Sequence, residues 1–360
     1  MKTSLPGNGA NFSGASLLGY GGEQAVFIAS YGLYAADLAG NVRFIANTTT
    51  IAPNSKGFSF SSFSDAIIEG RNVIFRGKST AGTSGIYRSN GTSIVQILAP
   101  NGTVQVPSGS LGSVFVKKLD NNQIYFDSLD ASVTGPLSGY YRSNLSSNND
   151  GTDLANAVPL ITKANYRNLP MGGGFDESEG NIVVYDLTNL VANINGQIVV
   201  LNNRSALGGG NFSIMNFFGA RQDSAVSISG SRFVFSAVIA LPGGGSNQGI
   251  FLYENGAFRT IADLTTSTVP FGGTGNFKRF ISANVILNGD FVYFSAIDSK
   301  DQTNNYIADL NTGNVVSTFN IRPSNHSIYF PGSFRDGDAL VNPDFSITTL
   351  PKVLQRIHQP

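Results

Sequence analysis

Gly70-Arg71-Asn72-Val73-Ile74-Phe75, followed by Gly85-Ile86-Tyr87-Arg88-Ser89-Asn90, decides the fold, because the chain writes this pair of phrases repeatedly. The first phrase is a turn residue and then a short apolar run closed by an aromatic. It returns from Gly22 to Phe27, Asn121 to Phe126, Gly180 to Tyr185, Gly230 to Phe235 and Gly289 to Phe294. Nearly continuous apolar runs of this length mark strands buried on both faces. The second phrase returns as Gly32-Leu33-Tyr34, Gly139-Tyr140-Tyr141, Gly196-Gln197-Ile198, Gly249-Ile250-Phe251 and Asn305-Tyr306-Ile307. Tyr87-Arg88-Ser89-Asn90 reappears unchanged as Tyr141-Arg142-Ser143-Asn144. A third phrase, a small residue and then Asn-Phe, stands at Asn11-Phe12, Asn211-Phe212 and Asn276-Phe277, with weaker versions at Gly57-Phe58 and Gly174-Phe175.

Three phrases in fixed order define a unit of about 55 residues with about four short strands, which is the size of one propeller blade. The expected fold is therefore all-β: a six-bladed β-propeller over residues 1–335, with 336–360 as a closing segment and tail of the same domain. Asp336-Gly337-Asp338-Ala339-Leu340-Val341 looks like a degenerate seventh start. Asn342 takes its aromatic position, and the following Pro343 suits an edge strand because it cannot donate to a ladder. A seven-bladed ring is the alternative. A solenoid comes after it, since β-helix coils are shorter.

Composition agrees. Charged residues make up only 13% of the chain, against 41% hydrophobic, so the chain has apolar surface enough for a large core and lacks the signature of disorder. Lys plus Arg equals Asp plus Glu at 23 each, leaving none of the basic excess that a nucleic-acid partner requires. With no cysteine, disulfides, thiolate metal sites and cysteine nucleophiles are all excluded. No run approaches the length of a membrane-spanning helix. The start, Met1 to Gly9, has one lysine and no apolar h-region. The expectation is a chain exported by another route or after processing, or one carried on a virion.

The repeats resemble a bacterial propeller-like repeat family common in cyanobacterial and planctomycete surface proteins. The matching residues are Gly230 to Ala237, Gly249-Ile250-Phe251 and Phe277-x-x-Phe280, together with Gly70 to Phe75, Gly85-Ile86-Tyr87 and Phe60-x-x-Phe63. The resemblance covers roughly residues 10–310 and departs most at the insertions 127–137 and 144–175. It implies a fold and a surface habit, and it carries no catalytic residues.

The position after the recurring aromatic reads Ile28, Arg76, Asp127, Asp186, Ser236 and Ser295. Equivalent positions of a propeller form a ring, so Arg76, Asp127 and Asp186 are the candidate ligand-binding residues. Asp127 with Asp186 is the one carboxylate pair that this position offers for acid–base work; the plainer reading is strand-end residues facing water. Asn148-Asn149-Asp150-Gly151-Thr152-Asp153 has the look of an oxygen-rich cation loop but lacks the closing Glu of an EF-hand, so a polar turn is expected. Asp336, Asp338 and Asp344 read the same way. His326 and His358 are too few and too far apart for a zinc site or a triad. Pro242-Gly243-Gly244-Gly245 lacks the Lys-Ser/Thr of a phosphate cradle. Tyr140 and Tyr141 could stack on sugars, but their repeat position argues for the core.

No catalytic residue, metal or cofactor is expected. The functional expectation is a non-enzymatic binding or structural module on an extracellular surface, with a protein or glycan partner, no nucleic acid and no membrane insertion. A virion structural protein assembled into a larger particle is the alternative, and a polysaccharide hydrolase or lyase the second alternative.

Overall fold

The computed structural model describes residues 15–317 apart from 22–23, 38, 131–134, 172–173, 187–188, 203–205, 208–209, 214–225, 241–245, 266 and 268–275. Asn11-Phe12, Pro242 to Gly245, the seventh start at Asp336, both histidines and Asp344 lie outside the described residues. The described residues form strands and turns, with no helix. They fall into two compact units, residues 1–171 and 172–360, each carrying three antiparallel sheets.

In the first unit, the first sheet is β1 (Ser16–Gly21), β2 (Gln24–Ala29), β3 (Gly32–Asp37) and β4 (Val42–Asn47), in that order. The second is β5 (Phe60–Glu69), β6 (Asn72–Ser79), β7 (Ser84–Ser89) and β8 (Ile94–Leu98). The third runs β9 (Val104–Val106), β10 (Gly109–Asp120), β11 (Gln123–Asp130), β12 (Gly139–Asn144) and β13 (Val158–Thr162).

The second unit begins with β14 (Gly174–Ser178), β15 (Asn181–Tyr185), β16 (Asn189–Ile194) and β17 (Gln197–Asn202). The next sheet holds β18 (Ala206–Leu207), β19 (Gly210–Ser213), β20 (Val226–Ser229), β21 (Arg232–Ala240), β22 (Ser246–Glu254) and β23 (Ala257–Asp263). The last is β24 (Arg279–Asn288), β25 (Phe291–Ile297), β26 (Thr303–Asp309) and β27 (Val315–Ser317).

The repeated phrases have a shared physical reason. The aromatic that ends the first phrase stands directly across from the aromatic of the second, and the two rings stack. Phe27–Tyr34, Phe75–Tyr87, Phe126–Tyr141, Phe235–Phe251 and Phe294–Tyr306 do so at centroid separations of 5.5–5.8 Å. Such pairs add about 0.5–1.5 kcal/mol beyond their area burial. In the first and fifth sheets the glycine two positions before the second ring lies beneath it. A Cβ on Gly32 would come within 2.7 Å of the Tyr34 ring, and one on Gly249 within 2.9 Å of Phe251. The phrase Gly-x-aromatic thus spells a ring folded back over a bare backbone.

Phe60-x-x-Phe63 and Phe277-x-x-Phe280 complete the cores of the second and last sheets in the same way. Phe60 meets Tyr87 edge-on at 4.9 Å, and Phe277 meets Tyr306 edge-on at 5.0 Å. Phe63 touches Phe75 at 5.8 Å, and Phe280 touches Phe294 at 5.7 Å. These rings lock successive sheets face to face: one cluster joins Val26, Leu33 and Ala46 of the first sheet to Phe60, Phe63 and Phe75 of the second. Equivalent clusters join the second sheet to the third, and consecutive sheets within the second unit. Face-to-face stacking of consecutive antiparallel meanders is blade-like within each unit, and the expectation of an all-β chain is borne out. Tyr140 and Tyr141, each 1% exposed, belong to the core as expected.

Two assignments need correction. Gly196-Gln197-Ile198 is not the fourth copy of the second phrase. Tyr185 stands across from Leu190, whereas Gly196 lies in the hairpin turn between β16 and β17. Asn195 (φ 51°) and Gly196 (φ 82°) form that turn, and Asn-Gly is a hairpin signal in its own right. Gly57-Phe58 is likewise no copy of the third phrase: Phe58 is exposed, and Phe60 fills the core position.

The sheets are also tied turn to turn. Within each unit, the turns at Gly70, Asn121, Gly230 and Gly289 are held by side chains of the sheet before. Arg43 donates to the carbonyls of Gly70 and Arg71 at 3.1 and 3.0 Å. Glu69 accepts from the backbone N–H groups of Asn121 and Asn122. Ser178 Oγ accepts from Gly230 N–H, while Asn181 donates to the Gly230 carbonyl. Arg232 donates to the Gly289 carbonyl at 2.7 Å and to Asp290 at 2.9 Å. Tight two-residue turns leave backbone groups without ladder partners, and these side chains supply them.

Candidate functional site

In the strand that pairs with each aromatic-ended strand of the second and third sheets, the register slips near the recurring aromatic. On β5 it slips between Ser64 and Ala66, and on β10 between Val116 and Lys118. The extra residues are Asp65 and Lys117; Asp65 has a φ of 47°. A bulge re-aims the side chain it carries. Here the two bulges bring charges to two of the three positions singled out in the sequence.

Arg76, on β6, is held by Asp65 and by the next sheet. Its Nε lies 3.3 Å from Asp65 Oδ2, and its Nη2 donates to the Val114 carbonyl of β10 at 3.0 Å. The guanidinium sits over the Phe115 ring, 5.9 Å from the centroid. Phe115 is 47% exposed, unusual for a phenylalanine inside a strand, and the Arg76 side chain is 31% exposed. Asp127 stands across from Phe115 on β11 and is buried. Its Oδ2 is 3.4 Å from Lys117 Nζ, and the Lys117 side chain is 26% exposed. Arg76, over the ring, and Asp127, across the ladder, are therefore both brought next to Phe115. Asp186 belongs to the second unit. It caps its own turn by accepting from Asn189 N–H at 2.8 Å.

The remaining buried acids are structural. Asp298 accepts from Lys300 and Gln302 N–H, and Asp309 from Asn311 N–H. Asp263 accepts from Thr265 N–H. The Asn148 to Asp153 segment is the expected polar turn. Asp150 is held down to about 2 by hydrogen bonds from Thr152 and Ser146, and Asp153 pairs with Arg88. Among the described residues, no group of three or more His, Cys, Asp or Glu could hold a metal ion, and no helix is long and apolar enough to cross a membrane.

Sequence reasoning missed Asp65, Phe115 and Lys117. Lys117-Lys118 reads as too short for a basic patch, and no local signal announces that a bulge turns Lys117 toward Asp127.

No protein-family model matches the chain, and no curated protein does. Solved structures with a similar arrangement include the tricorn protease, at 16% identity and a TM-score of 0.36, covering 85% of this chain and 26% of that one. A puromycin hydrolase shows 12% identity and a TM-score of 0.42, covering 85% of this chain and 45% of that one. The acylaminoacyl peptidase of Pyrococcus horikoshii shows 12% identity and a TM-score of 0.42, covering 84% and 46%. The chain spans less than half the length of each. These neighbours, hydrolases by name, overturn the expectation of a non-enzymatic binding or structural module and the expectation that the chain has no place in an enzyme.

Proposed function

We propose that the chain is the propeller part of a hydrolase, with its described sheets serving as six blades, and that the first unit holds substrate at the Arg76–Phe115–Lys117 surface. The observation that supports this reading is the exposed Phe115 ring with the Arg76 guanidinium over it, and two cations of consecutive sheets each fixed by its own carboxylate. Bulges on strands of consecutive sheets are a costly way to place surface charges, and bulges recur beside active sites. Arg76 and Asp127 act as positioning and binding groups in this reading. Asp127 orients Lys117, and Arg76 takes the ligand.

The test is a hydrolysis screen of the full chain against peptidyl, aminoacyl and glycosyl chromogenic substrates, run beside Arg76→Ala and Phe115→Ser variants. Turnover that rises in KM when either residue is replaced supports the reading. Binding or turnover that is indifferent to both overturns the assigned surface, and substrates that neither bind nor turn over across the screen overturn the hydrolase reading.

A further inference from the structure

We infer that the Arg76 surface selects a carboxylate-bearing peptide segment; this rests on the proposed substrate role of that surface. The inference begins with what the cations have left to give. Arg76 spends Nε on Asp65 and Nη2 on the Val114 carbonyl, and its Nη1 donates to no described residue. Lys117 contacts Asp127 alone, which leaves further ammonium protons for a ligand. Both side chains are partly open to solvent, and the exposed Phe115 ring lies under the Arg76 guanidinium.

The guanidinium fork matches a planar carboxylate, with two donors in one plane. Phe115 offers apolar area beside it for the side chain next to that carboxylate. The same geometry argues against a sugar as the preferred ligand. Sugar rings stack on open aromatic faces, whereas the Phe115 face toward Arg76 is already covered by the guanidinium at 5.9 Å. It argues against a cationic ligand too, because Asp65 and Asp127 are each engaged by a cation of the protein. What the surface lacks is an anion with an apolar flank. A peptide ending in a free α-carboxylate, or presenting an acidic side chain, supplies both.

The experiment is a calorimetric titration of the full chain with a short apolar peptide, prepared as the free acid and as the C-terminal amide, with inorganic phosphate as a third ligand. The expected result is at least about tenfold tighter binding of the acid than of the amide, a discrimination of roughly 1.4 kcal/mol. Arg76→Gln should erase the preference. Phe115→Ser should weaken acid and amide alike. Phosphate should compete only weakly, since it lacks the apolar flank. Equal binding of acid and amide, a preference that survives Arg76→Gln, or phosphate binding as tight as the acid overturns the inference. Acid preference with the chromogenic substrates neither bound nor turned over leaves this inference standing and removes the hydrolase reading. Hydrolysis indifferent to the carboxylate does the reverse.

Discussion

Arg88 and Asp153 meet as a buried ion pair, Nη1 to Oδ1 at 2.6 Å, with the aspartate 0% and the arginine 6% exposed at the side chain. The pair joins β7 of the second sheet to the long connection between β12 and β13 of the third. Asp153 also accepts from Ser146 N–H, and Arg88 donates to Asn72 and to the Ser146 carbonyl. Removing one partner strands the other charge in the interior. Asp153→Ala should therefore cost about 3–5 kcal/mol in urea-induced unfolding, and the Arg88→Met, Asp153→Leu double variant distinctly less. A double variant as unstable as the single would show that the pair is not the cause.

Gly77 sits under the Phe60 ring, where an added Cβ would stand 2.6 Å from Phe60 Cε1 and 3.2 Å from Tyr87. Gly77→Ala should destabilise by about 1–3 kcal/mol through overpacking. Adding Phe60→Leu, which trims the obstructing ring, should return part of that loss in the same thermal melts.

Burial holds the hydroxyl of Tyr293 up to about 12, and raises those of Tyr34, Tyr87 and Tyr306. An unfolded tyrosine ionises near 10. Below that pH both states keep their protons and nothing is lost. Above it the unfolded chain sheds protons first, so stability should fall between about pH 10 and 12. Tyr293→Phe should flatten the decline measured by chemical denaturation across that range, and an unchanged slope would count against Tyr293 as its source.

Glu69 accepts from both turn N–H groups of the next sheet, at 2.8 Å from Asn121 and 3.3 Å from Asn122. Glu69→Ala should cost about 1–2 kcal/mol and speed amide exchange at Asn121 and Asn122. Exchange at those two amides that matches the wild type would dismiss the clamp.

Much of this fold was legible because the repeat encodes pairs that touch. Phe75 and Tyr87 recur as a pair because they stack across one hairpin, and Gly85 is fixed by the crowding of Gln96, the Leu98 carbonyl and the Tyr87 hydroxyl around it. Legibility ended where a local turn borrowed the look of the repeat. Gly196 satisfied the spacing, but Asn195-Gly196 obeys the geometry of a two-residue hairpin, and Leu190 took the ring position. The candidate surface was half visible. Arg76 and Asp127 followed from counting along the repeat. Asp65, Phe115 and Lys117 depend on where two strands slip register, and a slip leaves no mark in hydrophobic alternation when its flanks are already continuously apolar. Asp186, equivalent by count, spends its carboxylate on its own turn, since Asn189 three positions later offers the nearest donor.

The ties between hairpin turns all point one way along the chain. Arg43, Glu69, Ser178, Asn181 and Arg232 each serve a turn that comes later in sequence. A ribosome delivers the polypeptide amino-terminus first. Each newly released sheet therefore meets the side chains that will receive its turn already mounted on its predecessor, and every step of growth within a unit lands on a finished template. Trimming the same unit from its front would strip a receiver from the sheet left behind, whereas trimming from its back would leave only an idle one. The molecule has a grain, laid down in the order in which it is made.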